Sequence, residues 1–198
     1  MNHYFSDNKN LRSGETETEY VFKFKRFKFI TDTGVFAKGG VDSGTAVLLD
    51  NLPEIQAGAR VLDLGCGYGP VGVTLNKIYG AEVVMCDVNG RALDLARRNL
   101  EKNGASASVI RSDGFADITG RFDYIITNPP IHAGKPVIYK MYEDARGRLM
   151  PGGAFYTVIR KKHGALSHRK KLEEIFGGEN LSVLYAKKGV FVFEVRYE

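Results

Sequence analysis

The sequence predicts an α/β fold built around one mostly parallel sheet, on three observations. Between residues 60 and 176, short apolar runs alternate with segments of helical periodicity. The runs are nearly continuous, as in Glu82 to Cys86, which is typical of parallel strands buried on both faces. The last two runs are separated only by Lys187, Lys188 and Gly189, too short for a parallel crossover, so they predict an antiparallel hairpin at the sheet edge.

The individual elements follow from local patterns. Aromatic and charged residues alternate from 19 to 30, which predicts an N-terminal strand or hairpin with Phe inward and Lys outward. Residues 41–52 predict a helix with Asp42 or Ser43 as its cap. Further strands are predicted at 60–64, 82–87, 107–111, 122–127, 153–159, 181–186 and 190–196, and helices at 70–79, 90–103, 136–149 and 165–176.

Length and composition predict one domain over residues 1–198, with a β extension and loop at 1–40 and the α/β core at 41–198. No apolar run reaches membrane-span length, and Met1 to Asp7 lacks the features of a signal peptide, so we expect a cytoplasmic protein without membrane contact. Cys66 and Cys86 form no CxxC or Cys/His cluster, so neither a disulfide nor a metal site is expected.

The net charge of +5 is concentrated in two clusters. Lysines and one arginine interleave with Phe between residues 22 and 29, and a second basic stretch covers residues 160–171. Both clusters are suited to neutralising phosphates, and both equally fit the solvated face of a strand or helix.

A glycine-rich segment follows the strand at 60–64. Gly67, Gly69 and Gly72 match GxGxxG, and Asp87 lies 20 residues after Gly67, so a dinucleotide fingerprint fits the chain as written. Asp63, two residues before the first glycine of the segment, would repel a pyrophosphate. The pattern therefore favours S-adenosylmethionine, whose ammonium group an acid can face, and leaves an NAD-dependent enzyme as an alternative.

These segments resemble the class I methyltransferases that use S-adenosylmethionine, whose Rossmann-like seven-stranded sheet has a reversed last strand. On that resemblance, the methionine part of the cofactor would be lined by Asp63, Gly65, Cys66 and Gly67. Asp87 would accept from both ribose hydroxyls. Asp113 and Gly114 would meet the adenine, with Phe115 or Val88 packed on a ring face.

Asn128, Pro129 and Pro130 follow the strand at 122–127 and predict methylation of nitrogen. The amide oxygen of Asn128 and the carbonyl oxygen of Pro129 are two acceptors that would hold both N–H bonds of an amine and point its lone pair at the sulfonium methyl. Pro130 restrains the residue before it.

The longer strings at 128–135 and 33–42 resemble the ribosomal RNA small-subunit methyltransferase C (RsmC-like) group, which modifies the N2 amine of guanine. Amine and amide methyltransferases usually carry an aromatic residue, which stacks on the methyl acceptor, where this chain has Ile131. Phe36 is our candidate for this missing aromatic residue. The resemblance places Phe36, Lys38 and Asp42 on the cofactor side. The predicted catalytic residues are Asn128, Pro129, Pro130 and Ile131, and the predicted substrate contacts are Phe36, His132 and Lys135.

The leading interpretation is an enzyme that methylates guanine N2 in ribosomal RNA, with ribosomal RNA or the small ribosomal subunit as partner and a monomer or homodimer as its state. If so, the two basic clusters would dock the RNA, and the target base would be unpaired or flipped out. Two alternatives stay open: glutamine methylation of a protein such as a release factor, and an RNA-binding or assembly protein that has kept the fold without turnover.

Overall fold

A computed structural model describes residues 12–198. Residues 1–7, on which the signal-peptide prediction rests, lie outside the described residues. From residue 12 onward, no helix is both long and apolar enough to cross a membrane.

Within this range the strands are β1 (Thr16–Phe22), β2 (Lys25–Thr31), β3 (Arg60–Leu64), β4 (Glu82–Asp87), β5 (Ser108–Arg111), β6 (Phe122–Thr127), β7 (Leu149–Arg160), β8 (Leu181–Lys187) and β9 (Val190–Arg196). The helices are α1 (Ser43–Asn51), α2 (Pro70–Tyr79), α3 (Gly90–Lys102), α4 (Lys135–Arg148) and α5 (Ala165–Phe176). Short 3-10 turns cover Ile131–Ala133, Lys161–His163 and Gly178–Asn180.

Strands β3 to β9 form one sheet in the order β5-β4-β3-β6-β7-β9-β8. β3 to β7 pair in parallel, and β9 is antiparallel to both of its neighbours. The predicted fold class, with a reversed last strand, is confirmed. The reversed strand β9 lies inside the sheet and is almost entirely buried, whereas β8 forms the edge and is half exposed.

β7 is longer than predicted, since it begins at Leu149 where a helix end was expected. Residues 149–152 join the strand because the chain pairs there with the C-terminal residues. The N–H of Gly152 donates to the carbonyl of Tyr197 (2.7 Å), and the N–H of Tyr197 donates to the carbonyl of Gly153 (2.8 Å). Pairing with a distant segment therefore extends the strand beyond its predicted start.

The sheet is covered on both faces, which confirms the three-layer arrangement. On one face the core includes residues of α1, α2, α3 and the N-terminal hairpin. On the other face it includes residues of α4 and α5. α1 begins as predicted, because the carboxylate of Asp42 caps the N–H groups of Gly44 (2.7 Å) and Thr45 (3.2 Å).

β1 and β2 form a separate antiparallel hairpin that packs against α3. Phe22, Phe27 and Phe29 are buried, as the alternation predicted. The same prediction is wrong for Phe24, which is fully exposed. Lys23 and Phe24 form the turn, with φ of 45° and 63°, the left-handed conformation of a two-residue hairpin turn, and this interrupts the alternation of faces.

Two asparagines, one in α3 and one directly after it, hydrogen-bond to the backbone of β2 as a neighbouring strand would. Asn99 accepts from the N–H of Ile30 (2.7 Å) and donates to its carbonyl (2.9 Å). One helical turn later, Asn103 makes the same pair with Lys28 (3.0 and 2.8 Å). Asn99 is fully buried and also donates to the carbonyl of Tyr68, in the loop after β3 (2.9 Å). The hairpin is thus fixed to α3 and to that loop.

The turn of the hairpin lies at the amino edge of the large sheet. Lys23 is 3.6 Å from a carboxylate oxygen of Glu54 and 4.9 Å from the ring centre of Tyr79, the last residue of α2. Asp32, after β2, lies at the opposite end and accepts from Arg91 at the start of α3 (3.3 Å). Both helices begin at the carboxyl edge of the sheet, so the end of α2 marks the amino edge and the start of α3 marks the carboxyl edge. The hairpin therefore extends from one edge to the other.

The order of the strands creates a crevice beside β3. The chain passes from β3 to β4 and β5 on one side, then returns to β6 on the other side of β3. The loops after β3 and β6 therefore diverge from a topological switch point, where open α/β sheets bind ligands.

We expect Asn99→Leu to destabilise the fold by about 3 kcal/mol or more, because each buried polar group left without a partner costs roughly 1–3 kcal/mol. The substitution preserves the approximate side-chain volume and leaves three backbone groups of Ile30 and Tyr68 unpaired. Urea unfolding followed by circular dichroism measures the loss.

The matched variant is Asn103→Leu, at the solvent-accessible end of the same arrangement, where water can replace the lost bonds. It should cost about 1 kcal/mol or less. Equal losses in the two variants would contradict the bridging role of Asn99.

Candidate active site

A cavity of about 520 Å³ opens at the carboxyl edge of the sheet, a size usual for small-molecule sites. Its walls come from the loops after β3, β4, β5 and β6, together with α1 and the loop before it. Of the residues predicted from the sequence, the lining includes Phe36, Asp63, Gly65, Cys66, Gly67, Asp87, Val88, Asp113, Gly114, Asn128, Pro129, Pro130, Ile131 and His132.

The glycine loop after β3 leaves open space at the floor of the cavity. The N–H groups of Gly65 and Cys66 both donate to the carbonyl of Cys86 at 2.9 Å, which ties the loop to β4. Gly65 and Gly67 have φ of 74° and 56°, and a Cβ at either would meet no atom within 4 Å. Side chains there would strain the loop and fill the cavity, so glycine keeps the backbone accessible to a ligand.

Asp87 ends β4 with its carboxylate facing the cavity. One oxygen accepts from the N–H of Gly67 and the other from that of Asn89, both at 2.9 Å. Burial raises the pKa of Asp87, against the lowering effect of these N–H donors. A carboxylate has about four acceptor positions. Both oxygens therefore retain capacity for further donors, which fits a ligand with two neighbouring hydroxyls.

Asp63 lies deeper, on β3, and is almost fully buried. One carboxylate oxygen accepts from the N–H of Gly72 in α2 (2.8 Å), so the acid also anchors the helix. Burial raises the pKa of Asp63 to about 7; the bond from Gly72 lowers it and the charge of Asp87 raises it. Two acids with raised pKa values thus line one cavity wall, an arrangement that a cationic ligand would stabilise.

The loop after β5 forms another wall. Asp113 is exposed and Gly114 partly exposed, and both line the cavity together with Val88. Phe115, the second residue predicted to pack on an adenine ring, is buried in the core beneath α4 and α5 instead. Val88 is therefore the apolar contact that the structure provides at this wall.

The Asn128–Pro129–Pro130 segment follows β6 on the opposite side of β3. The hydroxyl of Thr127 donates to the carbonyl of Leu64 (2.8 Å), which couples the end of β6 to the end of β3. Asn128 donates through Nδ2 to the hydroxyl oxygen of Thr45 (3.0 Å). Pro129 is buried and Pro130 caps the 3-10 turn Ile131–Ala133. The segment is held rigidly at the mouth of the cavity.

The loop before α1 reaches the cavity from the hairpin side. Asn89 donates to the carbonyl of Gly34 (3.0 Å), and Arg91 donates to the carbonyl of Thr33 (2.9 Å), so the start of α3 holds this loop. Phe36 lines the cavity with its side chain 47% exposed. Lys38 does not line the cavity: its ammonium donates to the hydroxyl of Thr33 (3.0 Å).

Comparison with known protein families shows which family the chain belongs to. A family model described as the methyltransferase small domain matches residues 26–194. The chain belongs to this family.

Two relatives and one solved structure are similar to the chain over most of its length. The chain is 37% identical over 198 residues to the uncharacterised protein YbxB of Bacillus subtilis, covering 98% of each chain. It is 42% identical over 144 residues to the ribosomal RNA small subunit methyltransferase C of Hahella chejuensis, covering 70% of this chain and 42% of that protein. The structure of the T. thermophilus 16S rRNA N2 G1207 methyltransferase, solved with AdoMet and guanosine, superposes with a TM-score of 0.84 at 31% identity, over 93% of this chain and 51% of the other.

These matches confirm the family and the fold predicted from the sequence. S-adenosylmethionine is the cofactor of this methyltransferase family, as the glycine loop and Asp63 predicted. The chain spans less than half the length of the curated methyltransferase C from H. chejuensis and about half of the T. thermophilus protein. Across residues 12–198, no three His, Cys, Asp or Glu side chains gather in a way that would hold a metal ion.

The methyltransferase small domain here has two basic residues at the cavity that motif analysis missed as site residues. Arg160 and His163 line the cavity at the end of β7, and they belong to the basic stretch noted in the sequence. Burial, and then Lys162, Arg160 and His132, lower the pKa of His163, so these groups lie near one another. We define the basic rim as His132, Lys135, Lys161, Lys162 and His163.

Lys135 belongs to the rim without lining the cavity. A Cβ placed on Gly164 would lie 3.5 Å from the Lys135 ammonium nitrogen, so this side chain reaches the start of α5. Among the described residues, no carboxylate forms an ion pair with Lys135, Lys161 or Lys162. The rim therefore carries uncompensated lysines beside the cavity that Asn128 lines. Elsewhere in the second basic stretch, His168 is buried, and Arg169 and Lys171 form ion pairs with Glu173 and Glu143.

We expect Asp63→Asn to stabilise the ligand-free protein more at pH 8 than at pH 5. The native pKa of about 7 lies above the ordinary value of 3.8, so native Asp63 keeps a proton that the unfolded chain has lost. Wild-type stability from this group therefore falls as pH rises from about 4 to 7, by about 4 kcal/mol at most. Thermal unfolding of both proteins at the two pH values measures it, and a difference in Tm that is independent of pH would contradict it.

Proposed function

We propose that this chain is an S-adenosylmethionine-dependent N-methyltransferase that acts on the exocyclic N2 amine of a guanine in small-subunit ribosomal RNA. The observation that carries the proposal is the single cavity shared by Asp63, Asp87 and the Asn128–Pro129 segment. The groups suited to binding the cofactor and the oxygen atoms suited to accepting from an amine therefore line the same cavity, on opposite sides of β3.

The cofactor half of the site is formed by the ends of β3, β4 and β5. Asp87, with acceptor capacity left on both oxygens, would accept from the ribose hydroxyls. Asp113 would accept from the adenine amine, and Val88 would pack on the ring, since both line the cavity. Asp63 would pair with the ammonium group, and the backbone of residues 65–67 would contact the methionine part. When bound, S-adenosylmethionine supplies an electrophilic methyl on its sulfonium sulfur.

The acceptor half holds the amine of the base. An exocyclic amine is a weak nucleophile because its lone pair is delocalised into the ring. The amide oxygen of Asn128 and the carbonyl oxygen of Pro129 accept its two N–H bonds and direct the lone pair towards the cofactor. No strong base is needed, since the nitrogen becomes acidic only as it gains the methyl group. The amine proton then leaves to water at the open mouth.

The basic rim supports a nucleic-acid substrate. Uncompensated lysines beside the cavity attract phosphates, and a base flipped out of its stack would enter between Ile131 and Phe36. Phe36, half exposed on the opposite wall, takes the stacking role that Ile131 lacks. A glutamine side chain, which is uncharged, would not itself be attracted by this positive charge.

The choice of guanine N2 in small-subunit ribosomal RNA is supported by the relatives. The T. thermophilus structure is named a 16S rRNA N2 G1207 methyltransferase and holds AdoMet and guanosine, and this chain matches about half of it.

The proposal predicts transfer of tritiated methyl from S-adenosylmethionine to 16S RNA, as assembled small subunits or free RNA, with the product identified as N2-methylguanosine. Asn128→Ala should lower kcat about 100-fold or more, because it removes one of two acceptors for the amine. Asp87→Ala should abolish saturable cofactor binding in calorimetry. Label found only in protein would favour glutamine methylation, and RNA binding without any transfer would favour an assembly protein.

The basic rim predicts a salt-dependent step in RNA binding. Lys161→Glu with Lys162→Glu should raise KM for RNA at least tenfold and reduce the salt slope of binding by about 2, since each phosphate contact contributes about 1. Cofactor affinity should be unchanged. The matched control is Lys25→Glu with Lys28→Glu on the hairpin, remote from the cavity; an equal rise in KM there would contradict docking at the rim.

A further inference from the structure

The side chain of Asn128 is held by the start of α1, a segment 83 or more residues away in the sequence. Its Nδ2 donates to the hydroxyl oxygen of Thr45 (3.0 Å) and to a carboxylate oxygen of Asp42 (3.3 Å). Both hydrogens of the Asn128 amide are therefore engaged by groups of the protein.

This contact determines which end of the amide faces the substrate. An ionised carboxylate only accepts hydrogen bonds, so it pairs with the NH₂ end of an amide and repels the oxygen. With its NH₂ end directed at Asp42, the amide presents its oxygen to the cavity that Asn128 lines. A flipped amide would present two donors to the amine, which cannot use them.

Asp42 is itself fixed from three directions. One carboxylate oxygen accepts from the N–H groups of Gly44 and Thr45 and from Asn128. The other oxygen accepts from Arg160 at the end of β7 (3.2 Å). The pinned carboxylate has little freedom to move away from Asn128.

The helix start also leaves room for this contact. A Cβ on Gly44 would lie 2.7 Å from the carboxylate oxygen of Asp42 and 3.6 Å from Nδ2 of Asn128. Glycine in the first turn of a helix has no conformational advantage over alanine. The space is needed by the carboxylate and the amide together.

We propose that Asp42, assisted by Thr45 and pinned by Arg160, is a positioning residue that locks Asn128 with its oxygen towards the amine. The catalytic consequence rests on the proposed function, whereas the orientation of Asn128 does not. This role differs from the cofactor contact that the sequence predicted for Asp42.

Asp42→Ser is the central test, because serine also caps helices and keeps α1 stable while removing both carboxylate oxygens. We expect kcat to fall about 10- to 100-fold, the usual loss for a misplaced catalytic group, with KM and cofactor affinity unchanged. Asp42→Asn still offers one oxygen to Asn128 and should retain more activity than Asp42→Ser. Asp50→Ser, the same change at the exposed end of α1, is the matched control and should leave kcat unchanged.

A double-mutant cycle separates positioning from a direct role. If Asp42 acts through Asn128, Asp42→Ser should lower kcat little further in the Asn128→Ala background. Additive losses, or weakened cofactor binding in Asp42→Ser, would overturn the proposal. Gly44→Ala should reproduce the loss of kcat, because its added methyl would lie 2.7 Å from the carboxylate oxygen and displace it from Asn128.

A readout without turnover tests the orientation itself. The side-chain NH₂ resonances of Asn128, assigned by their loss in Asn128→Ala, should shift in Asp42→Ser and stay in place in Asp50→Ser. Unchanged resonances in Asp42→Ser would overturn the contact. If the resonances shift in Asp42→Ser but the wild-type protein methylates no RNA, the proposed function is overturned and the orientation of Asn128 stays supported.

Discussion

The parallel pairing of β3 with both β4 and β6 is the constraint on which the site depends. Cross-links at the carboxyl edge reinforce it: the loop after β3 donates twice to Cys86 of β4, and Thr127 of β6 donates to Leu64 of β3. The strands that follow β3 are added first on one side of it, as β4 and β5, and then on the other side, from β6 onward. The loops after β3 and β6 therefore separate and leave a crevice. Asp87 and Asn128 therefore face each other across a space that neither strand could form alone.

The cavity has opposite electrostatic character at its two ends. Asp63 and Asp87 are placed where burial raises the pKa of each, so their ionised forms are disfavoured until a cation or several donors arrive. The basic rim at the mouth has uncompensated cations. The interior thus suits a cationic cofactor, and the charge at the mouth suits the polyanionic substrate that we propose.

The N-terminal segment serves the site by packing rather than by charge. Asn99 and Asn103 dock β2 on α3, and Asn89 and Arg91 hold the following loop, which brings Phe36 to the cavity wall. The same segment leads into α1, whose cap Asp42 meets Asn128. The turn of the aromatic and basic hairpin, which was predicted to dock RNA, lies at the far edge of the sheet.

The sequence by itself determined the class of fold, the order of the core elements, the glycine loop and the Asn-Pro-Pro segment. These follow from residue periodicity and turn chemistry, which operate over a few neighbouring residues. Only the tertiary structure decided that β9 lies inside the sheet, that Lys38 turns away from the cavity, that Phe115 belongs to the core, and that Arg160 and His163 reach the site. The contact of Asp42 with Asn128 joins residues 86 apart, and local patterns do not encode such pairings because packing of the whole sheet selects them.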